Sequence, residues 1–224
     1  MTYQVIASPR TGSTLLNRFA VEDNGLGFSE FFNENVDINL DWHKKIFKYH
    51  SIEEKLEYLE FYKSQDIHFS LKFFPHQVLI SKPELEFRLI KFFDGYKNLT
   101  INRDPWASFL SLMYQHYTNW ELSHNIVGLN QTPEIKEYTL DLEWISEFIK
   151  IYKVNKNFTS RISIYKEFKY EELTIANLQK FFETRFDPLS RPMKLDYKSN
   201  AINIKEAKEI FDYEMYGTGN GNNN

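Results

Sequence analysis

The stretch VIASPRTGSTLL, residues 5 to 16, decides the fold of this chain. It predicts a short buried strand, a polar turn and the start of a helix. Its spacing fits the phosphate-binding pattern G-x-x-x-x-G-K-[ST], but Ala7 replaces the first glycine and Ser13 replaces the lysine. The second glycine, Gly12, and the final hydroxyl residue match, and a positive charge stands earlier, at Arg10. The stretch therefore predicts a phosphate-type turn in which the cation has moved.

The rest of the chain predicts strands that alternate with helices. Four short segments rich in Ile, Val, Phe or Tyr predict buried strands, and a weaker fifth is predicted at Gly27–Phe31. The four are Tyr3–Ala7, His68–Phe73, Asn98–Asn102 and Arg161–Phe168. The helices are predicted at Thr14–Asn24, Ile52–Ser64, Glu84–Tyr96, Pro105–Tyr117, Leu140–Asn155, Ile175–Thr184 and Ile204–Tyr213. This alternation predicts an α/β fold: a P-loop-like domain whose central, mostly parallel sheet of four or five strands is flanked by helices.

Composition limits the class of protein. With 224 residues, 42% of them hydrophobic, the chain predicts one domain over residues 1–216 and a disordered Gly- and Asn-rich tail over 217–224. The net charge of −4 gives no reason to expect a nucleic-acid partner. Because the chain has no cysteine, disulfides, thiolate nucleophiles and Cys-ligated zinc sites are excluded. We expect a soluble, cytoplasmic protein with no membrane partner, because neither a signal peptide nor a membrane-spanning apolar run is found.

The turn after the first predicted strand has the chemistry of an anion site. A helix N-terminus with unpaired N–H groups attracts phosphate. The amides of residues 11–15 (Thr11, Gly12, Ser13, Thr14 and Leu15) would point at the anion, and Ser13 and Thr14 add hydroxyl donors. Arg10 adds a planar fork that suits phosphate or sulfate oxygens. The alternative is an ordinary helix capped by Ser or Thr after a strand.

A second cationic position follows the strand Asn98–Asn102. A protein that hydrolyses ATP or GTP needs a magnesium carboxylate at the end of a neighbouring strand. This strand is followed by Arg103, and Asp104 stands between that arginine and a proline. We therefore predict a second anion clamp and a nucleotide with phosphate at both ends. No pair of histidines has metal-ligand spacing, so no metal is predicted.

Two segments together resemble a known family. SPRTGSTLL, residues 8–16, and INRDPWASFLSL, residues 101–112, resemble the two cofactor motifs of sulfotransferases that use 3'-phosphoadenosine-5'-phosphosulfate (PAPS). The resemblance implies that the first loop holds the 5'-phosphosulfate. It also implies that Arg103, with Ser111 eight residues later, holds the 3'-phosphate. Ser108, five residues after Arg103, is the alternative to Ser111 as the hydroxyl that contacts the 3'-phosphate.

Three further segments extend the resemblance. GFSEFF, residues 27–32, is similar to the Glu-Phe-Phe segment of bacterial trehalose 2-sulfotransferases, and SLKFFP, residues 70–75, is similar to their Gly-Gly-Lys segment. KYEEL, residues 169–173, is similar to the family's Tyr-Glu-x-Leu segment, which opens a late helix. The resemblance thus covers most of the chain and implies the sulfotransferase fold.

The resemblance also implies roles for individual side chains. Glu30 would be the general base that takes the acceptor hydroxyl proton, with His76 as the rival base. Arg10 would neutralise the leaving 5'-phosphate, and Lys72 would stabilise the sulfuryl oxygens. Three of these residues have a simpler alternative: a surface loop carboxylate for Glu30, a structural histidine for His76 and a strand-end lysine with a solvated head for Lys72.

The acceptor and the C-terminal contacts are the least specified. A basic stretch with Arg191, Lys194 and Lys198 is a candidate to close over the 3'-phosphate, and Lys198 is assigned to the cofactor. The alternative is a basic stretch that is simply solvated. We expect a small hydroxylated acceptor, such as a carbohydrate, that can stack on an aromatic group: Tyr114, Tyr117 and Trp120. The alternative for these three aromatic residues is ordinary helix packing. The predicted activity is sulfuryl transfer from PAPS, which leaves 3'-phosphoadenosine 5'-phosphate (PAP). The alternatives are a P-loop kinase-like phosphotransferase and a non-catalytic nucleotide-binding module.

Overall fold

The structure is a computed structural model that describes residues 2–33, 50–117, 137–188 and 201–217. It is an α/β protein, as the sequence predicts. The strands are β1 (Tyr3–Ile6), β2 (Gly27–Ser29), β3 (Ser70–Phe73), β4 (Lys97–Asn102) and β5 (Lys166–Lys169). The α-helices are α1 (Ser13–Asn24), α2 (Ile52–Ser64), α3 (His76–Leu79), α4 (Glu86–Phe93), α5 (Pro105–Tyr117), α6 (Glu143–Thr159), α7 (Ile175–Phe181) and α8 (Ile204–Tyr216).

The five strands form one parallel sheet in the order β2-β3-β1-β4-β5. The buried side chain of Gln4 fixes the register between β1 and β3. Its Nε2 donates to the carbonyl of Phe69 at 2.9 Å, and its Oε1 accepts from the N–H of Leu71 at 2.7 Å. The register places Val5 of β1 beside Lys72 of β3 and brings the carboxyl ends of these strands to one edge. Ligands of parallel sheets bind at that edge.

The described residues up to Asn102, together with Val154–Asp187, form one compact unit that contains the whole sheet. One core cluster lies around β2, β3, α2 and α4 and is rich in phenylalanine, including Phe28, Phe69 and Phe93. A second lies around α1, β1, β4 and β5 and includes Phe19 and Leu99. These cores hold the central strands rigidly, so the residues that follow the strands start from fixed positions.

The described residues of Arg103–Lys153, with the described part of the C-terminal stretch, form a second compact unit. Its core packs α5, α8 and the first part of α6 around Phe109, Phe148 and Phe211, whose rings lie between 5.5 and 6.2 Å apart. An isolated parallel bridge joins Tyr138 to Ala201. The prediction of a single domain over residues 1–216 stays a prediction.

Many element bounds differ from the sequence prediction by a few residues, and the differences at three elements have a structural explanation or concern an element that was not predicted. The last strand begins at Lys166 and not at Arg161, because the ladder with β4 starts at the pair Leu99–Lys166. The helix predicted at Glu84–Tyr96 is a 3₁₀ turn followed by α4, which ends at Phe93 because Gly95 adopts a left-handed φ of 83°. The short helix α3 was not predicted.

None of the described helices combines the length and the apolar character that crossing a membrane requires.

Candidate functional site

The loop between β1 and α1 is built from two left-handed residues. The N–H of Ala7 still donates to the carbonyl of Phe73 at 3.1 Å, so the loop leaves the sheet only after that residue. Arg10 has a φ of 60° and Gly12 a φ of 81°. The Oγ1 of Thr11 donates to the carbonyl of Ser8 at 2.8 Å and closes the turn. A non-glycine residue such as Arg10 costs about 1–2 kcal/mol in this conformation, so other contacts must hold the loop.

The position of Gly12 requires glycine for a second reason. A Cβ placed there would lie 2.9 Å from Cδ1 of Leu173 and 3.3 Å from Cε2 of Tyr170. Both residues belong to the segment KYEEL, residues 169–173, which continues β5 into a 3₁₀ turn before α7. The structure therefore packs two of the segments that carry the family resemblance directly against each other.

The N-terminus of α1 has no side-chain cap and no acidic residue in its first turn, as far as the structure describes it. The first N–H groups of a helix have no partner within the helix. Ser13 is buried and Thr14 is exposed. Leu15, in contrast, buries its side chain in the core, and its N–H donates to the carbonyl of Gly12 at 3.1 Å. Ser13 and Thr14 are therefore the residues of this turn best suited to meet an anion.

A hydrogen-bonded chain joins the start of α1 to the ends of β2 and β3. The Nζ of Lys72 lies 2.6 Å from Oε1 of Glu30 and donates to Oγ1 of Thr14 at 3.2 Å. Lys72 is only 2% exposed, because β3 lies between β1 and β2 in the sheet. A charge this deeply buried requires a partner of opposite sign, which Glu30 supplies. The alternative of a solvated strand-end lysine does not fit this burial.

Glu30 directly follows β2 and has a left-handed φ of 50°. Its Oε2 accepts from Nδ2 of Asn33 at 3.1 Å, so each carboxylate oxygen has a described hydrogen bond. The neighbouring Phe31 and Phe32 are buried in the core and anchor the loop. The side chain of Glu30 remains 24% exposed, so the carboxylate is partly accessible to solvent.

His76, the rival base, begins α3 just beyond β3. Its backbone N–H donates to Oδ1 of Asn155 at 2.8 Å, and its Nδ1 lies 3.1 Å from Nδ2 of the same amide. Burial is the main cause that lowers the pKa of His76 to about 4. Its ring stacks on Phe74 with centroids 5.9 Å apart, and Nζ of Lys72 lies 5.4 Å from the Phe74 centroid. His76 is thus neutral at pH 7 and lies close to the Lys72 ion pair.

Sequence reasoning missed Asn33 and Asn155. Neither stands in a recognisable motif, and a single asparagine in a helical pattern gives no signal of a contact 79 positions away. The packing of Leu173 on the glycine of the loop was not predicted either, although both segments were. The contacts of Asn155 and Leu173 depend on tertiary structure, which periodicity and spacing do not specify, whereas Asn33 contacts Glu30 only three residues away.

The predicted second clamp belongs to the second compact unit. Arg103 follows β4, and Oδ2 of Asp104 accepts from the N–H of Ala107 at 3.1 Å, which caps α5. The Oγ of Ser108 donates to the carbonyl of Asp104 at 3.1 Å, so this hydroxyl is used within the helix. Ser111 is 1% exposed. Asp104 therefore has a structural role as a helix cap, and Ser111 remains the predicted partner of Arg103.

The remaining predicted residues are the aromatic candidates for the acceptor pocket and the C-terminal basic stretch. Tyr114 is buried in the core of its unit, where it packs on Tyr138, while Tyr117 is 44% exposed. Trp120 and the basic stretch with Arg191, Lys194 and Lys198 lie outside the described residues. Within the described ranges, no group of three or more His, Asp or Glu side chains is arranged to hold a metal ion.

Comparison with protein-family models, curated proteins and solved structures found no match to this chain.

Proposed function

We propose that this protein is a PAPS-dependent sulfotransferase that moves a sulfuryl group to a hydroxyl of a small molecule. The single observation that carries the proposal is the chain Thr14–Lys72–Glu30. It joins a phosphate-type loop, a buried cation and an accessible carboxylate. These are the parts that transfer of a sulfuryl group to a hydroxyl requires: an anion cradle, charge support for the transferred group and a proton acceptor.

The donor set of the loop fits a phosphosulfate. It offers the amides at the uncapped start of α1, the hydroxyl of Thr14, the guanidinium of Arg10 and the ammonium of Lys72. Gly12 lets the loop pack tightly on Leu173, so the core supports the backbone of the loop that carries these donors. PAPS would supply the sulfuryl group and leave as PAP.

Glu30 would accept the proton of the acceptor hydroxyl as the new oxygen–sulfur bond forms. Lys72 would carry two tasks: it orients Glu30 through the 2.6 Å ion pair and places positive charge beside the sulfuryl oxygens. An ammonium group has three N–H donors and can serve a carboxylate and a second oxyanion together. Arg10 would offset the charge that builds on the departing 5'-phosphate.

The acceptor is proposed only as a small hydroxylated molecule, such as a carbohydrate. Support comes from the similarity of residues 27–32 and 70–75 to the segments of trehalose 2-sulfotransferases. The partly exposed carboxylate of Glu30 is the point that such an acceptor would approach.

Thermal denaturation with PAP tests the proposal. PAP should raise the melting temperature of the full chain, and Arg10→Ala should reduce the shift, while Arg18→Ala should not. Arg18 is the matched control because it is an exposed arginine on α1, one turn beyond the loop. Stabilisation by ATP with Mg²⁺ but not by PAP would overturn the proposal in favour of a kinase-like phosphotransferase.

Arg103→Ala tests the assignment of the 3'-phosphate, which rests on the family resemblance. The substitution should weaken binding of PAP strongly and binding of adenosine 5'-monophosphate, which lacks the 3'-phosphate, much less. An equal loss for both nucleotides would contradict the assignment.

A further inference from the structure

The amide of Asn155 contacts both the backbone and the ring of His76. Its Oδ1 accepts from the backbone N–H of His76 at 2.8 Å. This bond fixes which end of the amide is oxygen, because a backbone N–H can only donate. The Nδ2 group then lies 3.1 Å from Nδ1 of the ring, closer than the 3.3 Å between that nitrogen and Oδ1.

The tautomer of His76 follows from these hydrogen bonds. A proton on Nδ1 would face the N–H groups of Nδ2 at 3.1 Å, and two donors repel each other. Without that proton, Nδ1 accepts from Nδ2, and Nε2 carries the ring proton. Asn155 is only 1% exposed and lies within α6, so packing holds the amide in place.

The ring belongs to the same cluster as the Lys72 ion pair. It stacks on Phe74, and Nζ of Lys72 lies over the Phe74 ring. Glu30 is the charged group that acts on His76, and its charge favours the protonated ring. Burial outweighs that effect and holds the pKa of His76 near 4, so the ring is neutral at physiological pH.

We propose that Asn155 is a positioning residue that fixes His76 as a neutral Nε2–H imidazole, and that His76 serves this site as a hydrogen-bond donor to an oxyanion and not as its base. A neutral imidazole with a proton on Nε2 has its lone pair on Nδ1, which Asn155 already occupies. The ring therefore has no nitrogen left to take a proton from an acceptor hydroxyl. That task falls to Glu30. The identity of the oxyanion, a sulfuryl or phosphate oxygen, rests on the proposed function.

Long-range ¹H–¹⁵N spectra of the full chain labelled with ¹⁵N-histidine test the tautomer directly. The signal of His76 is assigned by its loss in His76→Gln. We expect a protonated-type shift for Nε2 and an unprotonated-type shift for Nδ1, with no change between pH 8 and pH 5.5. A proton on Nδ1, a mixture of tautomers or a charged ring at pH 7 would overturn the inference.

Asn155→Asp tests the positioning role. A carboxylate has the same shape but only accepts, so it should move the ring proton to Nδ1 and raise the pKa of His76 toward its ordinary value of 6.5. Asn157→Asp is the matched control, because it adds the same charge to an exposed position of α6. An unchanged tautomer in Asn155→Asp contradicts the inference. If that variant fails to fold, the wild-type spectrum still decides.

Titration with PAP separates this inference from the proposed function. If PAP stabilises the protein and shifts the Nε2–H signal without changing the tautomer, both stand. If PAP stabilises the protein but neither PAP nor inorganic sulfate shifts that signal, the donor role is wrong while the proposed function survives. If PAP does not bind but inorganic sulfate shifts the signal, the proposed function fails and the donor role stands.

Discussion

The ion pair of Lys72 and Glu30 is unequally buried, and this inequality predicts unequal losses of stability. Lys72 is 2% exposed and Glu30 is 24% exposed. Glu30→Ala leaves a buried ammonium without its carboxylate, and we expect a loss of about 3–5 kcal/mol in the free energy of unfolding. Lys72→Met leaves a carboxylate that water and Asn33 can still reach, and we expect a loss of about 1 kcal/mol.

Urea denaturation of both variants measures this difference. Alanine keeps the left-handed φ of 50° at position 30, so backbone strain is the same before and after the substitution. Equal losses, or a larger loss for Lys72→Met, would show that the lysine is better solvated than the structure indicates.

The lowered pKa of His76 predicts how stability depends on pH. The unfolded chain binds this proton near pH 6.5, whereas the folded chain binds it only near pH 4. The contribution of His76 is therefore complete above pH 6.5 and is lost as the pH falls toward 4. Between these two pH values, the free energy of unfolding falls by up to about 1.4 kcal/mol for each pH unit because of this group.

The measurement is the free energy of unfolding between pH 7 and pH 4, with His76→Gln as the reference. The wild-type protein should lose more stability over this interval than the variant. Parallel curves would mean that the imidazole is solvated in the folded protein.

At the scale of elements, sequence predicts those whose signals are local. α2 has its predicted bounds, and it begins at Ile52 because Ser51 and Glu54 form a capping box with hydrogen bonds of 2.7 and 3.2 Å. The predicted start of β5 was wrong. Residues 161–165 alternate like a strand, but they precede the first residue that pairs with β4. Only the position of β4 decides where that ladder begins. Local patterns thus predict element types, and pairing partners set the ends of edge strands.

Because the loop between β1 and α1 packs against the turn after β5, we expect substitution of Gly12 to lower the free energy of unfolding. Gly12→Ala places a side chain at φ 81° and within 2.9 Å of Leu173. Gly25→Ala is the matched control, because Gly25 has a φ of 77° and open space around it. We expect Gly25→Ala to lower the free energy of unfolding by about 1–2 kcal/mol and Gly12→Ala to lower it clearly more.

The double variant Gly12→Ala/Leu173→Ala isolates the contact by a double-mutant cycle. Removing the leucine side chain should recover part of the cost of Gly12→Ala, which urea denaturation would show as a favourable coupling. Additive losses would mean that the loop and the turn do not press on each other.

At the scale of the whole molecule, the sequence predicted the α/β class and the segments that form the candidate site. It predicted Glu30 and Lys72 from separate segments, and the structure joins them because β2 and β3 are neighbours, with Ser29 beside Lys72. It could not predict that His76 is held by Asn155, since α6 follows in the chain far beyond β3. Residues next to strands were thus predictable, and their partners from distant helices were not.

Whether the protein is a catalyst or only a binding module is decided by Glu30→Gln. Glutamine keeps the shape of the side chain and an oxygen for Lys72 but cannot accept the hydroxyl proton. If Glu30 is the base, transfer from ³⁵S-labelled PAPS to a panel of hydroxylated acceptors should fall by about 100- to 10,000-fold. Binding of PAP should persist. Glu57→Gln, an exposed carboxylate on α2, is the control that should leave transfer unchanged. If the wild-type chain binds PAP but transfers no sulfate, and Glu30→Gln alters stability alone, the non-catalytic module is the correct interpretation.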